Sequence, residues 1–163
     1  MKYSEILEKL SLRTISYIKK DLDMSDIKDT FTIEDVQKVD YKDITTLISL
    51  SGSLTGTIGM SVSKELAKEM VKNFVYGEVN EQTLEELSSE NVAETLNITL
   101  GNILSDLEAA KNGKDVEIST PYTMHNSVTI TKKKNETMNI SLLKYNNEDI
   151  IISYFYKNYN RGE

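Results

Sequence analysis

The chain has 163 residues, 39% of them hydrophobic, with one Pro, one His, no Cys, no Trp and a formal net charge of −7 at pH 7. That length suits one domain able to remove about 70% of its unfolded surface from water. The lack of Cys excludes a disulfide framework, a Cys-ligated metal and a Cys nucleophile, and His125 alone cannot build a His-rich metal site. The acidic surplus argues against nucleic acid, which is held through Lys and Arg on its phosphates.

The first segment predicts a helix, because Tyr3, Ile6, Leu7, Leu10, Ile15 and Ile18 recur at the spacing that gathers side chains on one face. Acids occupy the N-terminal positions where a signal peptide would carry its apolar core, so a cytoplasmic protein is expected. The helix stops in Asp21-Leu22-Asp23-Met24-Ser25-Asp26, whose alternating acids resemble the start of a calcium loop. The pattern fails where Asp26 stands for the turn glycine and Thr32 for the bidentate acid, so a solvated linker is expected.

From Asp43 the period changes to two. Ile44, Leu47, Ile48 and Leu50, the turn chemistry of Ser51-Gly52, and Leu54, Ile58, Met60 and Val62 predict a hairpin. Gly56 and Gly59 inside its second strand mark a bulge or a close packing approach. Ser63 caps a helix running through Leu66, Ala67, Met70, Val71 and Phe74 to Gly77. Thr83-Leu84-Glu85-Glu86 has the form of a capping box opening the next helix. Its core stripe is Val92, Leu96, Leu100, Ile103, Leu107 and Ala110; Leu84 and Leu87 fall off that stripe, so a break is expected near Ser88-Ser89. Asn112-Gly113 ends the helix.

The remainder is strand: Val116 and Ile118; Val128 and Ile130; Met138, Ile140 and Leu142; Ile150, Ile152, Tyr154 and Tyr156. Lys132-Lys133-Lys134-Asn135 and Asn146-Asn147-Glu148-Asp149 are expected as connecting turns, the lysine run being a polar hairpin tip. The aromatic cluster Tyr154, Phe155, Tyr156 and Tyr159 suggests edge-strand packing or a dimer contact, and His125 a surface residue at a strand end. No apolar run approaches the roughly 20 residues of a membrane-spanning helix. Helix, hairpin, two helices and then consecutive strands predict an α+β layered domain with helices gathered on one face of an antiparallel-rich sheet.

On the long helix, Glu94 and Asn97 lie about 60° apart around the axis, on the side away from the core stripe. Gly101 shares that outer face one turn on. A mid-helix glycine costs about 1 kcal/mol relative to Ala, and its missing Cβ would let a partner's backbone come close. The same Glu-x-x-Asn spacing recurs at Glu136-Thr137-Met138-Asn139. There a strand period does not group the two side chains, so only the helical pair is a candidate.

The stretch Glu94-Thr95-Leu96-Asn97-Ile98-Thr99-Leu100-Gly101-Asn102 resembles the Glu-x-x-Asn helix of the CheX/CheC/FliY family of chemotaxis phosphatases. The hairpin with its glycines, the helix from Ser63 to Met70 and Ser119-Thr120-Pro121 follow in the same order as in the family. The resemblance runs from about residue 43 to 156, and a single helical motif makes the CheX type the nearer one. It implies a phosphatase acting on the aspartyl phosphate of a CheY-type response regulator, with Mg²⁺ carried by that regulator and none of its own. It further implies Asn97 as the group placing the attacking water and Glu94 as catalytic and docking residue. Glu90, Gly101 and Ser105 join the docking face, and Gly101-Asn102 serves as the structural dipeptide, Asn102 lying to the side of the face. A homodimer is implied as well, the C-terminal strands offering an edge for pairing. The alternative is a binding module without catalysis, like flagellar-switch components of the same superfamily.

Overall fold

The computed structural model describes residues 3–75, 77–109 and 116–158, with backbone only at Ser4, Asp29, Thr30, Phe31, Phe74, Glu108 and Ala109. The expected helix stop at Asn112-Gly113, together with Ala110 and Tyr159, lies outside the described residues.

Helix α1 spans Tyr3–Lys20 and buries Ile6, Leu7, Leu10 and Ile18. The acidic stretch after it is not a solvated linker. Its acids face water, but Leu22 and Met24 are plugged into the core, and Met24 N–H donates to the Ile18 carbonyl at 3.1 Å. Strands β1, Ile27–Ile33, and β2, Lys38–Tyr41, follow in a region where the sequence pattern predicts no strand. The predicted hairpin forms as β3, Ile44–Gly52, and β4, Gly56–Val62, paired antiparallel with Ile48 opposite Ile58. Ser63 caps helix α2, Lys64–Phe74, its hydroxyl accepting from Leu66 N–H at 3.1 Å. This helix stops short of Gly77 because Val75 is already extended.

Helix α3 runs unbroken over Glu81–Ala109. Asn80 is its cap, accepting from Thr83 N–H at 2.8 Å, so Thr83 sits inside the first turn and opens no capping box. No break occurs at Ser88-Ser89. Buried Leu84 and Ser88 extend the seam by steps of four, and the Ser88 hydroxyl bonds back to the Leu84 carbonyl within the helix. Val92, Leu96, Leu100, Ile103 and Leu107 form the rest of the seam. Burial of each is worth about 1.5–3 kcal/mol, which outweighs the lower helix propensity of the Thr and Gly residues among them.

Strands β5, Val116–Ile118, and β6, Tyr122–Met124, both pair with β3, separated by the stretch containing Pro121. Strands β8, Glu136–Tyr145, and β9, Glu148–Lys157, form a long hairpin. The main sheet has the order β1-β8-β9-β4-β3-β5, with β6 also on β3. Strand β7, Val128–Thr131, pairs with β2 in a separate two-stranded ribbon. The lysine run after β7 therefore joins two sheets and is not a hairpin tip, and Lys132 pairs with Asp35 at 2.6 Å.

The α+β layering is as expected, with a further layer. The helices cover one face, where Ile58, Met60, Val62, Ile150, Ile152 and Tyr154 meet α1, α2 and α3. The ribbon covers the other, where Val39 and Tyr41 meet Met138, Ile140 and Ile151. Gly59 makes this second layer possible. A Cβ there would meet Ser153 Oγ at 2.7 Å and Tyr41 Oη at 3.0 Å, the two atoms of a buried hydrogen bond of 2.6 Å.

Two expectations fail on the same fact. Strand β9 lies between β8 and β4, and β8 between β1 and β9, so neither long C-terminal strand offers an edge. The edges belong to β1 and to β5 with β6. The aromatic cluster accordingly packs inward. Tyr156 stacks on Tyr3 of α1 with ring centroids 4.0 Å apart, and Tyr154 donates to the Thr55 carbonyl at 2.9 Å.

Candidate functional site

Helix α3 packs against the sheet and against α1 and α2, and its exposed and half-buried polar residues gather on the side away from its apolar seam. Glu90, Glu94, Asn97, Gly101 and Ser105 fall within about 80° of arc on that side, in a row about 22 Å long. Glu90, Glu94 and Ser105 are exposed; Asn97, Gly101 and Asn102 are partly buried. Asn102 sits about 80° from Glu94, off the row. Among the described residues no hydrogen bond or ion pair engages the side chain of Glu94 or Asn97. Both therefore keep their bonding capacity free of those residues: a carboxylate that accepts, and an amide that accepts and donates twice.

Gly101 stands at the middle of the row. A Cβ built on it meets nothing within 4 Å, so nothing in the described fold requires a glycine there. This differs from Gly56, where a Cβ would meet the Phe155 carbonyl oxygen at 2.3 Å and φ is +129°.

The row is also acidic. α3 carries no Lys or Arg over its length. Glu81 in its first turn and Glu85 one turn on are answered by Lys68 of α2, which pairs with Glu81 and lies 3.6 Å from Glu85. That contact holds the Glu81 carboxyl below its ordinary range, chiefly through the Lys68 hydrogen bond. No cation pairs with Glu90 or Glu94 among the described residues. Among the described residues no three His, Asp or Glu side chains come together to hold a metal ion.

One flank of the row escaped the sequence reading. Asn91, Thr95 and Thr99 step by four beside the apolar seam and are buried. The Thr95 hydroxyl donates to the Asn91 carbonyl at 2.8 Å, and that of Thr99 to the Thr95 carbonyl at 2.7 Å. The Asn91 side-chain oxygen is buried with no partner among the described residues, at a cost of about 1–3 kcal/mol. The only signal was the run of small polar residues at helical spacing where apolar ones would pack. His125 is exposed just after β6. The second Glu-x-x-Asn lies at the start of β8, where buried Asn139 accepts from Asp35 N–H at 2.8 Å.

A helix-covered antiparallel sheet with one long helix displayed along its free side defines a CheC/CheX-like fold. Its solved relatives bear this out: the chemotaxis protein CheX of Vibrio vulnificus is 19% identical with a TM-score of 0.75, covering 93% of this chain and 99% of that one. CheX of Desulfovibrio desulfuricans is 15% identical with a TM-score of 0.74, covering 94% and 99%. A CheX–CheY–BeF₃–Mg²⁺ complex from Borrelia burgdorferi matches with a TM-score of 0.69 at 18% identity, covering 92% and 96%. No curated protein matches the chain. The family model described as chemotaxis phosphatase CheX matches residues 44–142, and the chain belongs to that family.

Proposed function

We propose that this protein binds a CheY-type response regulator and hydrolyses its aspartyl phosphate. The observation that carries the reading is the row on α3 in which Glu94, Asn97 and Gly101 stand together, with no side-chain hydrogen bond or ion pair to Glu94 or Asn97 among the described residues. Membership of the CheX family and the likeness to a CheX solved together with CheY and Mg²⁺ support the choice of substrate.

Removing a phosphoryl group from a carboxylate asks for position more than for covalent chemistry. Water attacks phosphorus, the bond to the aspartate oxygen breaks, and inorganic phosphate leaves with the carboxylate restored. The regulator supplies the phosphorylated Asp and its own Mg²⁺. Asn97 supplies an amide that holds the water in line, neutral and so unable to take its proton. Glu94 accepts from a cation beside the regulator's phosphorylation site and fixes the docking register. Glu90 and Ser105 extend the contact along the helix, and Gly101 lets the partner approach closely.

The test follows phosphate release from a regulator phosphorylated with acetyl phosphate in Mg²⁺, with and without the protein. Asn97→Ala should slow turnover by at least about 10²-fold, the scale of losing a correctly placed reactant, while the regulator still co-elutes. Unchanged decay with that variant would overturn the role of Asn97. Co-elution of the wild type without faster decay would make the protein a binding module instead.

A further inference from the structure

The row on α3 is polar throughout, whereas a protein interface gathers a less charged, apolar centre inside its polar rim. Among the described residues the well-exposed large hydrophobics are Leu12, Ile33, Ile118, Tyr122 and Val128, and topology decides which of them flanks the row. Helix α1 packs on β1, β8 and β9, and α3 on β4, β3 and β6, so α3 lies toward the free β5–β6 edge. Of its two flanks, that of Asn91, Thr95 and Thr99 is buried and that of Glu90 and Asn97 is open. The helical neighbours α1 and α2 therefore cover the first, and the second turns toward the edge. Register settles the face. Ile118 stands opposite Leu50, a member of the core under the helices, where Val116 packs as well, so Ile118 lies on the helix side. Tyr122 stands opposite Leu47, which packs in the core under the ribbon, so it faces away from α3 although it is 65% exposed. Leu12 belongs to α1, Ile33 to β1 and Val128 to the ribbon. The edge is also fixed: Ser119 N–H donates to the Ser49 carbonyl and Ser49 N–H to the Ser119 hydroxyl, each at 2.9 Å.

We propose that Ile118 is the apolar anchor of the docking surface, so that a CheY-type regulator seated on α3 buries an apolar side chain of its own against the β5 edge while its cation meets Glu94. This rests on the reading of α3 as the docking helix. The edge continues that surface on the flank where Asn97 stands, and its two hydrogen bonds hold Ile118 in place before the partner arrives, which lowers the ordering cost of binding. The anchor acts on affinity and takes no part in holding the water.

The experiment measures Kd for a CheY-type regulator by calorimetry, and KM and kcat for hydrolysis of its phosphorylated form, with wild type, Ile118→Ser, Ile118→Leu and Tyr122→Ser. Ile118→Ser should raise Kd and KM about tenfold, the equivalent of about 1.4 kcal/mol, with kcat within about twofold. Ile118→Leu keeps an apolar side chain of the same size and should hold the wild-type values. Tyr122→Ser removes more exposed apolar surface but from the other face, and should leave Kd and KM unchanged. An unaltered Kd with Ile118→Ser, or an equal loss with Tyr122→Ser, overturns the proposal. So does sedimentation in which Ile118→Ser turns a dimer into a monomer at unaltered KM, since a second copy would then cover the edge. A wild type that neither binds the regulator nor speeds its decay refutes the reading of α3 itself, whereas a wild type that does both beside an unaffected Ile118→Ser removes Ile118 alone. Should Ile118→Ser fold poorly, Ile118→Thr keeps the β-branch that suits a strand and should still raise Kd; a wild-type Kd there refutes the anchor.

Discussion

Gly101 separates what the fold wants from what a partner wants. A glycine inside a helix costs about 0.5–1 kcal/mol relative to Ala. Because a Cβ at this position meets nothing within 4 Å, Gly101→Ala should recover that amount with no clash to offset it. In a chain of 163 residues, 1 kcal/mol moves Tm by roughly 2–4 °C, so calorimetry should find the variant melting about 1–4 °C higher. Docking should go the other way. A methyl forced into a tightly packed contact costs about 1–3 kcal/mol, which is about 5- to 150-fold in Kd. Titration of the regulator by calorimetry, beside phosphate release at subsaturating concentration, reads this directly, and Gly101→Leu should deepen the loss. A fall in Tm would show that the fold itself needs the glycine. A rise in Tm with unchanged affinity and turnover would show that no partner backbone comes near it, and the docking row would lose its centre.

Two other outcomes follow from groups away from that row. Asn139→Ala should destabilise by about 1–3 kcal/mol in urea titration, since the Asp35 N–H loses its acceptor, while kcat on the phosphorylated regulator stays at the wild-type value. Lys68 holds the Glu81 carboxyl below its ordinary 4.5; a depressed carboxyl stabilises above that pH and loses its effect as pH falls through the folded-state value. Lys68→Gln should therefore flatten the decline of Tm on acidification below about pH 4.5, and an unchanged slope would contradict the pairing.

What the sequence revealed and what it hid follow the range of the interactions involved. Helices α1, α2 and α3 and the hairpin β3–β4 depend on neighbours a few residues apart, and their periodicity was plain. Strand β1 hid because its pairing with β8 shifts register between Asp29 and Phe31, so its alternation slips. Strand β2 alternates correctly but over only four residues, and its partner β7 lies far along the chain, with Val39 opposite Ile130. The errors about edges had the same source. A hydrophobic, aromatic strand such as β9 is as suited to the interior of a sheet as to its rim, and only the order β8-β9-β4 decides. At the site, the outward row was legible because helix geometry alone places Glu94 beside Asn97. The flank formed by Asn91, Thr95 and Thr99 was not, since it shows only as small polar residues at positions where a packed helix ordinarily carries apolar ones.

The two Glu-x-x-Asn patterns show how little four letters say without their surroundings. At Glu136 and Asn139 the backbone is extended and lies in the middle of the sheet's partner network. The amide is turned into the protein, where it satisfies the Asp35 N–H of a left-handed turn residue at φ 51°. Its carbonyl oxygen is engaged by the fold. At Glu94 and Asn97 the backbone is helical, the apolar seam takes the opposite side, and neither polar group is engaged in a hydrogen bond or ion pair among the described residues. A protein with one His and no Cys has few groups able to attack or to shuttle a proton near neutral pH. Chemistry limited to holding a water against a partner's phosphoryl group requires only an unused amide in a fixed place. Of the two asparagines only Asn97 meets that condition, which makes the pair Asn97→Ala and Asn139→Ala a direct test of whether presentation, and not composition, sets the activity.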